Sequence, residues 1–166
     1  MIETDRLIFR KYTMEDLDFL TSMTSDPDVM KYIGKGTTWT EEFTKERLKL
    51  WMSRYEEGHI SLMLAIRKSD QAFIGHAGLL PQEVEGQHEL EVGYWISKPY
   101  WGLGFASEAA IAWKEYGLHQ LRKNKLISLI KLGNTGSQNV AKKNGMSLEK
   151  QIVFHGVEAE MWSIHR

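Results

Sequence analysis

The spacing of apolar and polar positions divides the chain into seven predicted strands and five predicted helices. Strand segments alternate apolar and polar residues or form short apolar runs, whereas helix segments begin near a capping residue and end near a glycine. The predicted strands are 6–12, 61–67, 72–80, 89–96, 125–131, 147–154 and 157–164, and the predicted helices are 14–24, 26–32, 40–58, 105–118 and 136–144. Residues 81–87 are predicted as a loop. The order of elements indicates an α+β fold (mixed α/β, three layers) in a single domain over residues 1–166.

Composition narrows the class of protein without indicating an activity. The 166 residues are 42% hydrophobic and 26% charged, which is ordinary for a soluble globular domain. No apolar run approaches the ~20 residues of a membrane span, and the first residues lack the features of a signal peptide. The absence of cysteine excludes disulfides and a cysteine nucleophile, and the six histidines show no metal-ligand spacing. We therefore expect a cytoplasmic protein with no metal site and no membrane partner.

Charge is unevenly distributed, although the net charge is only −1. Residues 112–150 carry eight Lys or Arg against two Glu (+6), whereas residues 1–111 carry twelve basic and eighteen acidic residues (−6). Solvated helix faces alone can produce such an asymmetry. The alternative interpretation is a basic region that faces a polyanionic ligand and an acidic region that faces a cationic substrate. Nucleic acid is not the expected partner, because the basic segment has few aromatic residues and the whole chain is not basic.

The run YWGLGFASEA at 100–109 is the most informative motif of the chain. Its two glycines, Gly102 and Gly104, permit a tight turn whose N–H groups can approach a ligand without an intervening Cβ. The start of the following helix adds free N–H groups and a partial positive charge, which suit a pyrophosphate. A Rossmann fingerprint would require a third glycine and an acidic residue further on, but Ser107 and the basic run RKNK at 122–125 occupy those places. A tight strand–helix connection without any ligand is the remaining alternative.

A second motif, NTGSQNVAKKNGM at 134–146, raises the specificity of the first. Together with the glycine turn, ETDRL at 3–7, SDPDVMKY at 25–32 and EVGYWI at 91–96, it resembles the GNAT N-acetyltransferase superfamily, specifically its RimJ/RimL-type branch. The resemblance covers almost the whole chain. It implies the GNAT fold, a mixed and mostly antiparallel sheet with a splayed parallel strand pair and helices on both faces. The splayed pair would be the fourth and fifth predicted strands.

The same resemblance implies that acetyl-coenzyme A, the co-substrate, lies in the gap between these two strands. The backbone of Tyr94, Trp95 and Ile96 would pair with the pantetheine and polarise the thioester carbonyl. Asn134 would hydrogen-bond the pantetheine arm. The amides of the glycine turn would hold the pyrophosphate, and they belong to Trp101, Gly102, Leu103, Gly104, Phe105, Ala106 and Ser107.

The chain departs from the family pattern in front of the glycine turn. Many branches have Gln or Arg three residues before the first glycine, whereas this chain has Pro99 there, so the backbone alone would form the phosphate site. Lys142 or Lys143 is the candidate for contact with the adenosine phosphates. Lysines on a short helix are more often only solvated, and this alternative applies to both.

Two residues are candidates for proton transfer. Ser137 would protonate the departing thiolate, a role that many GNAT enzymes give to a tyrosine on the helix after the asparagine. This chain has no tyrosine after Tyr116, so the role falls to Ser137 or to water. A serine near a helix start is usually a cap, which is the alternative for Ser137. Glu91, within the GNAT-like EVGYWI stretch, is the candidate that accepts the proton of the amine, directly or through water.

The acceptor amine is expected to attack the thioester directly, because no cysteine is available to form an acyl-enzyme. We expect this amine to be an α-amine. At pH 7 deprotonation costs about 4.6 kcal/mol for a lysine and about 1 kcal/mol for an α-amine, which favours peptide N-termini or small amino compounds. Tyr32 and Trp39 flank the loop at 34–36, where the first helices of the family wall the acceptor site, and are the candidate substrate contacts. The acidic surplus of residues 1–111 predicts a negative acceptor side that attracts cationic amines.

Two other classes of function stay open at this level. A non-catalytic coenzyme A-binding module would keep the glycine turn without turning over any amine, and a regulatory domain would not bind acetyl-coenzyme A. The sequence does not identify the acceptor, an amine-bearing small molecule or a protein N-terminus. Neither a monomer nor a homodimer is favoured.

Overall fold

A seven-stranded sheet forms the centre of the computed structural model, which describes residues 2–166. Its strands are β1 (Leu7–Arg10), β2 (Leu62–Arg67), β3 (Phe73–Val84), β4 (Gln87–Ile96), β5 (Lys125–Lys131), β6 (Ser147–Phe154) and β7 (Val157–His165). The helices are α1 (Leu17–Thr24), α2 (Pro27–Met30), α3 (Glu41–Glu56), α4 (Phe105–Glu115) and α5 (Thr135–Lys143). A π-helical turn over Tyr116–Gln120 extends α4, and short 3₁₀ turns lie at Met14–Asp16 and Lys98–Tyr100.

The strand order is β1-β2-β3-β4-β5-β7-β6. Neighbouring strands are antiparallel except for β4 and β5, which are parallel. The predicted α+β architecture, with a mostly antiparallel sheet and one parallel pair, is therefore confirmed. The meander of β2, β3 and β4 also has the predicted order.

The loop predicted at 81–87 is wrong. β3 and β4 instead continue as an antiparallel pair joined by a two-residue turn of Glu85 and Gly86. Both turn residues have positive φ, 49° and 79°, as in the type I′ turns whose twist matches that of the flanking strands. Pro81 suggested a loop because proline cannot donate to a strand ladder. β2 pairs with β3 only as far as Gly78. At Pro81, β3 therefore pairs with β4 alone, and such an edge position tolerates proline.

Helices cover both faces of the sheet. One face packs against α4 and α5, with Trp113 at the centre and Phe9 edge-on to it at 5.7 Å between ring centroids. The opposite face packs against α1, α2 and α3 through residues such as Leu20. β2 shows how alternation builds the two layers, because Leu64 belongs to the α1–α3 side and Ala65 to the α4 side. No helix among residues 2–166 is both long and apolar enough to cross a membrane.

Side-chain caps fix where the helices near the site begin. Thr40 caps α3 as predicted, since its Oγ1 accepts from the Phe43 N–H at 3.1 Å. The predicted pairing of Thr13 with Asp16 is also present, with the Thr13 N–H donating to Oδ2 at 2.8 Å. Thr40 thereby satisfies one of the N–H groups that lack a partner in the first turn of α3.

Candidate active site

β4 and β5 pair at one position and then diverge. Among residues 2–166, their parallel pairing joins only Glu91 and Ile127, although both strands continue beyond it. The Ser128 hydroxyl makes a last contact between them by donating to the Val92 carbonyl at 3.3 Å. Past this contact the facing strand edges separate, and cavities open at the gap.

Two cavities meet at this gap. One, of about 600 Å³, lies beside the start of α4 and is here named the α4 cavity. The other, of about 460 Å³, lies between α3 and the β6–β7 hairpin and is named the α3 cavity. The residues that line both are Tyr32, Ile33, Tyr94, Trp95, Asn134 and Ser137. Molecules entering from the two sides would therefore come together at these shared side chains.

The glycine turn forms part of the wall of the α4 cavity. Gly102 and Gly104 have φ values of 74° and 83°, in the left-handed region that glycine adopts without steric strain. A Cβ at Gly102 would meet no protein atom within 4 Å, so the space in front of it is open. Gly104 is the N-cap of α4, and the N–H groups of residues 105–107 lack partners within the helix. This set of backbone donors suits a phosphate or a pyrophosphate.

An ion pair behind the glycine turn fixes its position. Arg6 donates from Nε to Glu108 Oε2 at 2.6 Å and from Nη1 to the Leu103 carbonyl at 3.0 Å. The Thr4 hydroxyl and the Arg6 N–H donate to the other carboxylate oxygen at 2.5 and 3.0 Å. Burial acts to raise the pKa of Glu108, but these donors outweigh it and hold the pKa below its usual value. The pair therefore ties the turn both to α4 and to the segment before β1.

The indole of Trp101 anchors the turn to the end of β4. Its Nε1 donates to the Ile96 carbonyl at 2.7 Å, while 48% of the residue stays exposed. The Ile96 carbonyl therefore already accepts a hydrogen bond from within the protein. Alternation along β4 turns the backbone of Tyr94 to the same side as the Val92 and Ile96 carbonyls, toward the gap, whereas the backbone of Trp95 faces β3.

Asn134 caps α5, so the capping role considered for Ser137 is already filled. Asn134 Oδ1 accepts from the Ser137 N–H at 3.1 Å, and Asn134 Nδ2 donates to Ser137 Oγ at 3.0 Å. Because Oγ accepts this bond, the hydroxyl proton of Ser137 is left to donate elsewhere. Ser137 thus presents an O–H donor where the two cavities meet.

Tyr94 provides a second hydroxyl at the same place. Burial raises the pKa of Tyr94 to about 12, hydrogen bonding with Ser137 acts to lower it, and the charge of Glu91 acts to raise it. The phenol therefore keeps its proton at neutral pH. The sequence prediction assigned only the backbone of Tyr94 to the site, so the position of its side chain is a new finding.

Glu91 lies where β4 and β5 separate, and its side chain lines the α3 cavity. Its Oε2 accepts from Gln82 Nε2 at 2.8 Å, and the backbone of Leu129 also donates to the carboxylate. Burial raises the pKa of Glu91 to about 7 even though these two contacts act to lower it. A carboxylate with a pKa near neutrality is suited to accept a proton from an amine.

Aromatic rings separate the α3 cavity from the core. The Trp95 ring lies 4.5 Å from His76 and 5.4 Å from Trp39, measured between centroids. His76 is fully buried, with Nδ1 2.8 Å from the Tyr12 hydroxyl, and burial lowers its pKa to about 3. His76 is therefore neutral and supports the wall. Tyr32 and Trp39, the predicted substrate contacts, both line the α3 cavity.

A family model described as "Acetyltransferase (GNAT) domain" matches residues 6–147 of this chain. The chain belongs to the GNAT acetyltransferase family. Bacillus subtilis YkkB, described as an uncharacterized protein, is 38% identical over 155 residues, which cover 90% of this chain and 86% of YkkB. Bacillus subtilis YnaD, described as an uncharacterized N-acetyltransferase, is 32% identical over 148 residues, which cover 89% of this chain and 83% of YnaD. The family resemblance and the assignment to an acetyltransferase are thereby confirmed.

Solved GNAT structures share the fold. An acetyltransferase (GNAT family) from Bacillus anthracis has a TM-score of 0.82 at 29% identity, covering 99% of this chain and 97% of that one. RimL, a ribosomal alpha-N-protein acetyltransferase in complex with coenzyme A, has a TM-score of 0.80 at 15% identity, covering 98% and 95%. Spermidine N-acetyltransferase from Vibrio cholerae, in complex with coenzyme A and spermine, has a TM-score of 0.78 at 16% identity, covering 98% and 96%. The last two likenesses show the GNAT fold alone.

Most of the predicted cofactor residues of this GNAT domain line the α4 cavity. They are Tyr94, Trp95, Ile96, Trp101, Gly102, Gly104, Phe105, Ala106, Ser107 and Asn134. Leu103 and Lys142 do not: the Leu103 side chain is 49% exposed, and Lys142 is exposed on the last turn of α5. The carbonyl of Leu103 instead accepts from Arg6. Within residues 2–166, no cluster of three or more His, Asp or Glu is arranged to hold a metal ion.

Cations line the α3 cavity, so the negative acceptor side expected from counting charges is wrong for this cavity. Its charged lining residues are Lys35, Arg47, Arg54 and Lys131, with Glu91 as the carboxylate. Two other glutamates of this region, Glu89 and Glu85, are paired, since they accept from Lys125 and Lys150 at 2.9 and 2.7 Å.

Arg47, Arg54 and Gln82 line the α3 cavity and were not predicted from the sequence. Arg47 and Arg54 lie four residues before and three residues after Trp51, which places them on the same face of α3. That spacing was the available signal, since residues 40–58 were predicted as a helix. Gln82, the partner of Glu91, lay in the segment predicted as a loop and was missed for that reason.

Proposed function

We propose that this chain transfers an acetyl group from acetyl-coenzyme A to a primary α-amine by direct attack of the amine on the thioester. The observation that carries the proposal is the meeting of two cavities at Tyr94, Trp95, Asn134 and Ser137. One cavity has backbone donors suited to a pyrophosphate, and the other has a carboxylate with a raised pKa. A two-substrate transfer gains from such an arrangement, because both reactants are held at one point before they react.

Acetyl-coenzyme A fits the α4 cavity as this chain builds it. The GNAT family uses this co-substrate, and RimL and the spermidine enzyme are both described in complex with coenzyme A. The open space at Gly102 and the free N–H groups of residues 105–107 would receive the pyrophosphate. The backbone of Tyr94, on the edge of β4 that faces the gap, would pair with the pantetheine, and Asn134 would add a polar contact. When bound, the co-substrate supplies the acetyl thioester.

Proton transfer in the proposed reaction is divided between Glu91 and Ser137. A bond forms between the amine nitrogen and the acetyl carbon, and the carbon–sulfur bond breaks. The amine proton leaves to Glu91, directly or through water, and the sulfur receives a proton from Ser137, which takes up a proton from water in its place. Two features support these roles: the pKa of Glu91 is about 7, and Ser137 Oγ already accepts from Asn134, so its hydroxyl acts as a donor, toward Tyr94 or toward the sulfur.

An α-amine is favoured over a polyamine as the acceptor. RimL is described as acting on a protein α-amine and the Vibrio cholerae enzyme on spermidine, so the fold accommodates both classes in those proteins. The cations of the α3 cavity repel a polyamine. A peptide α-amine also loses its proton more readily near neutral pH than the more basic amine of a lysine.

Release of free thiol from acetyl-coenzyme A tests the proposal. Amino acids, peptides with free N-termini, and polyamines are offered separately, and calorimetry measures acetyl-coenzyme A binding in parallel. We expect binding together with amine-dependent thiol release. Binding without release for every amine would indicate the non-catalytic module instead, and absence of binding would indicate a regulatory domain.

A further inference from the structure

The face of α3 that borders the α3 cavity carries two arginines. Arg47, Trp51 and Arg54 are spaced i, i+4 and i+7, so their side chains leave the same face of the helix. All three line the cavity. The buried stripe of the helix runs alongside them through Leu48 and Tyr55, which explains why both arginines are half-buried.

Neither arginine has an anionic partner among the residues that the structure describes. Within residues 2–166, Arg47 and Arg54 form no ion pair, whereas Arg6, Arg10 and Arg67 each pair with a carboxylate. The Nε of Arg47 is buried without any hydrogen-bond partner. Burial and the neighbouring charge of Arg54 both lower the pKa of Arg47.

This environment is unfavourable for the protein alone. A buried donor without a partner and two like charges side by side each reduce stability. Among residues 2–166 the other charged lining groups form no ion pair with these arginines: Lys35 and Lys131 are cations, and Glu91 accepts from Gln82. An anion placed between the two guanidiniums would satisfy their donors, and the planar guanidinium is the side chain best suited to carboxylate and phosphate.

We propose that the acceptor is a small primary amine that also carries an oxyanion, a carboxylate or a phosphate, which Arg47 and Arg54 bind. This inference rests on the proposed acetyl transfer and specifies its acceptor. A cavity of about 460 Å³ has the size of a small-molecule site. The oxyanion binds at α3, and the amine reaches Glu91 and Ser137 on the opposite wall.

The two arginines lie outside the α4 cavity, so their anion is distinct from the pyrophosphate of the co-substrate. Trp39 and Leu80, which also line the α3 cavity, offer apolar contact to the carbon chain between amine and oxyanion. This division of roles is typical of small-molecule sites, where a few polar groups fix orientation and apolar walls supply contact area.

Matched acceptors and matched variants test the proposal. The acceptors are α-amino acids against their amides, and O-phosphoethanolamine against 2-methoxyethylamine, which separates carboxylate from phosphate. The variants are Arg47→Gln, Arg54→Gln and Arg47→Lys. Lys49→Gln is the control, because Lys49 is exposed on the same helix and does not line the cavity. Each variant is first checked for an unchanged circular dichroism spectrum and for unchanged acetyl-coenzyme A affinity by calorimetry.

We expect the wild-type enzyme to prefer the anionic member of at least one pair. Arg47→Gln and Arg54→Gln should each lower kcat/KM for that anionic acceptor by about 10- to 100-fold, as for a lost charged hydrogen bond, and change the neutral acceptor by less than about threefold. Arg47→Lys should recover part of the loss, and Lys49→Gln should change neither acceptor. Calorimetric binding of the anionic acceptor to the complex with coenzyme A should weaken in the same order.

Three results would overturn the proposal. The first is a wild-type preference for neutral amines or for spermidine, and the second is an equal loss for both members of a pair in the arginine variants. The third is acetylation of peptides alone, which would indicate a protein acceptor. In each of these cases thiol release still occurs, so acetyl transfer stands. Absence of thiol release with every amine would instead contradict the proposed function itself, and the acceptor inference with it.

Discussion

At the scale of single residues, Glu91 lies in a buried position that disfavours its charged form. Burial raises its pKa to about 7, so it gains a proton readily near neutral pH. We expect Glu91→Gln to lower kcat/KM at pH 7.5 by about 10²-fold or more, the typical contribution of a general base. The rise of kcat/KM through about pH 7 should disappear with it. Glu83→Gln, at an exposed carboxylate of the same hairpin, is the control and should leave the pH profile unchanged. A wild-type profile in Glu91→Gln would assign the base to water.

Ser137 and Tyr94 are competing proton donors at the point where the cavities meet. Ser137 Oγ accepts from Asn134, so its hydroxyl acts as a donor, whereas the Tyr94 phenol, with which it is hydrogen-bonded, has a pKa raised to about 12. We expect Ser137→Ala to lower kcat by about 10²-fold with little change in the KM for acetyl-coenzyme A. Tyr94→Phe should lower kcat by less than about tenfold. A larger loss in Tyr94→Phe than in Ser137→Ala would reverse the assignment.

At the scale of elements, the glycine turn before α4 is expected to bind the co-substrate through its backbone. Gly104 has a φ of 83° and caps the helix, and a Cβ there would lie 3.4 Å from Arg6 Nη2. We expect Gly104→Val to weaken acetyl-coenzyme A binding by about tenfold or more, because a branched side chain disfavours positive φ and disturbs the phosphate site. Gly58→Val is the matched control, with a φ of 77° and no atom near its Cβ. It should lower the melting temperature without changing affinity, as measured by calorimetry. Equal affinity in the two variants would place the pyrophosphate elsewhere.

Local patterns predicted the elements well, because caps and hydrophobic spacing act within a few residues. Thr40 caps α3 as expected. Pro81 was wrongly taken to indicate a loop, because the strand tolerates it only where β3 lacks β2 as a neighbour, and that depends on residues far away in the sequence. The glycine turn and Asn134 were found through their family motif. Arg47 was missed because its role depends on which flank of α3 faces the cavity. Counting charges along the sequence failed for a related reason: Glu89 is paired with Lys125, 36 residues away.

At the scale of the whole molecule, stability between pH 5 and 7 depends on two groups with opposite effects. His76 has a folded-state pKa of about 3, below its unfolded value of 6.5, so its contribution is present above pH 6.5 and declines as the pH falls. Glu91 has a folded-state pKa of about 7, above its unfolded value of 4.5, so its contribution is full below pH 4.5 and is lost as the pH rises through 7. Asp16 and Glu108 have lowered pKa values and act at lower pH.

Removing either group should therefore reveal the pH dependence of stability that the other group produces. His76→Gln, which leaves Glu91, should become more stable from pH 7 to pH 5, and Glu91→Gln, which leaves His76, should become less stable over the same range. Each change should amount to about 1–3 kcal/mol in the free energy of unfolding. Urea unfolding at pH 5, 6 and 7 measures it. The comparison uses slopes against pH, because His76→Gln also loses the contact with Tyr12 and is less stable at every pH. The wild-type protein and the double variant should both show a shallow slope, because the two effects oppose each other in the first and are both removed in the second. Single variants that both keep the wild-type slope would show that neither group has a shifted pKa.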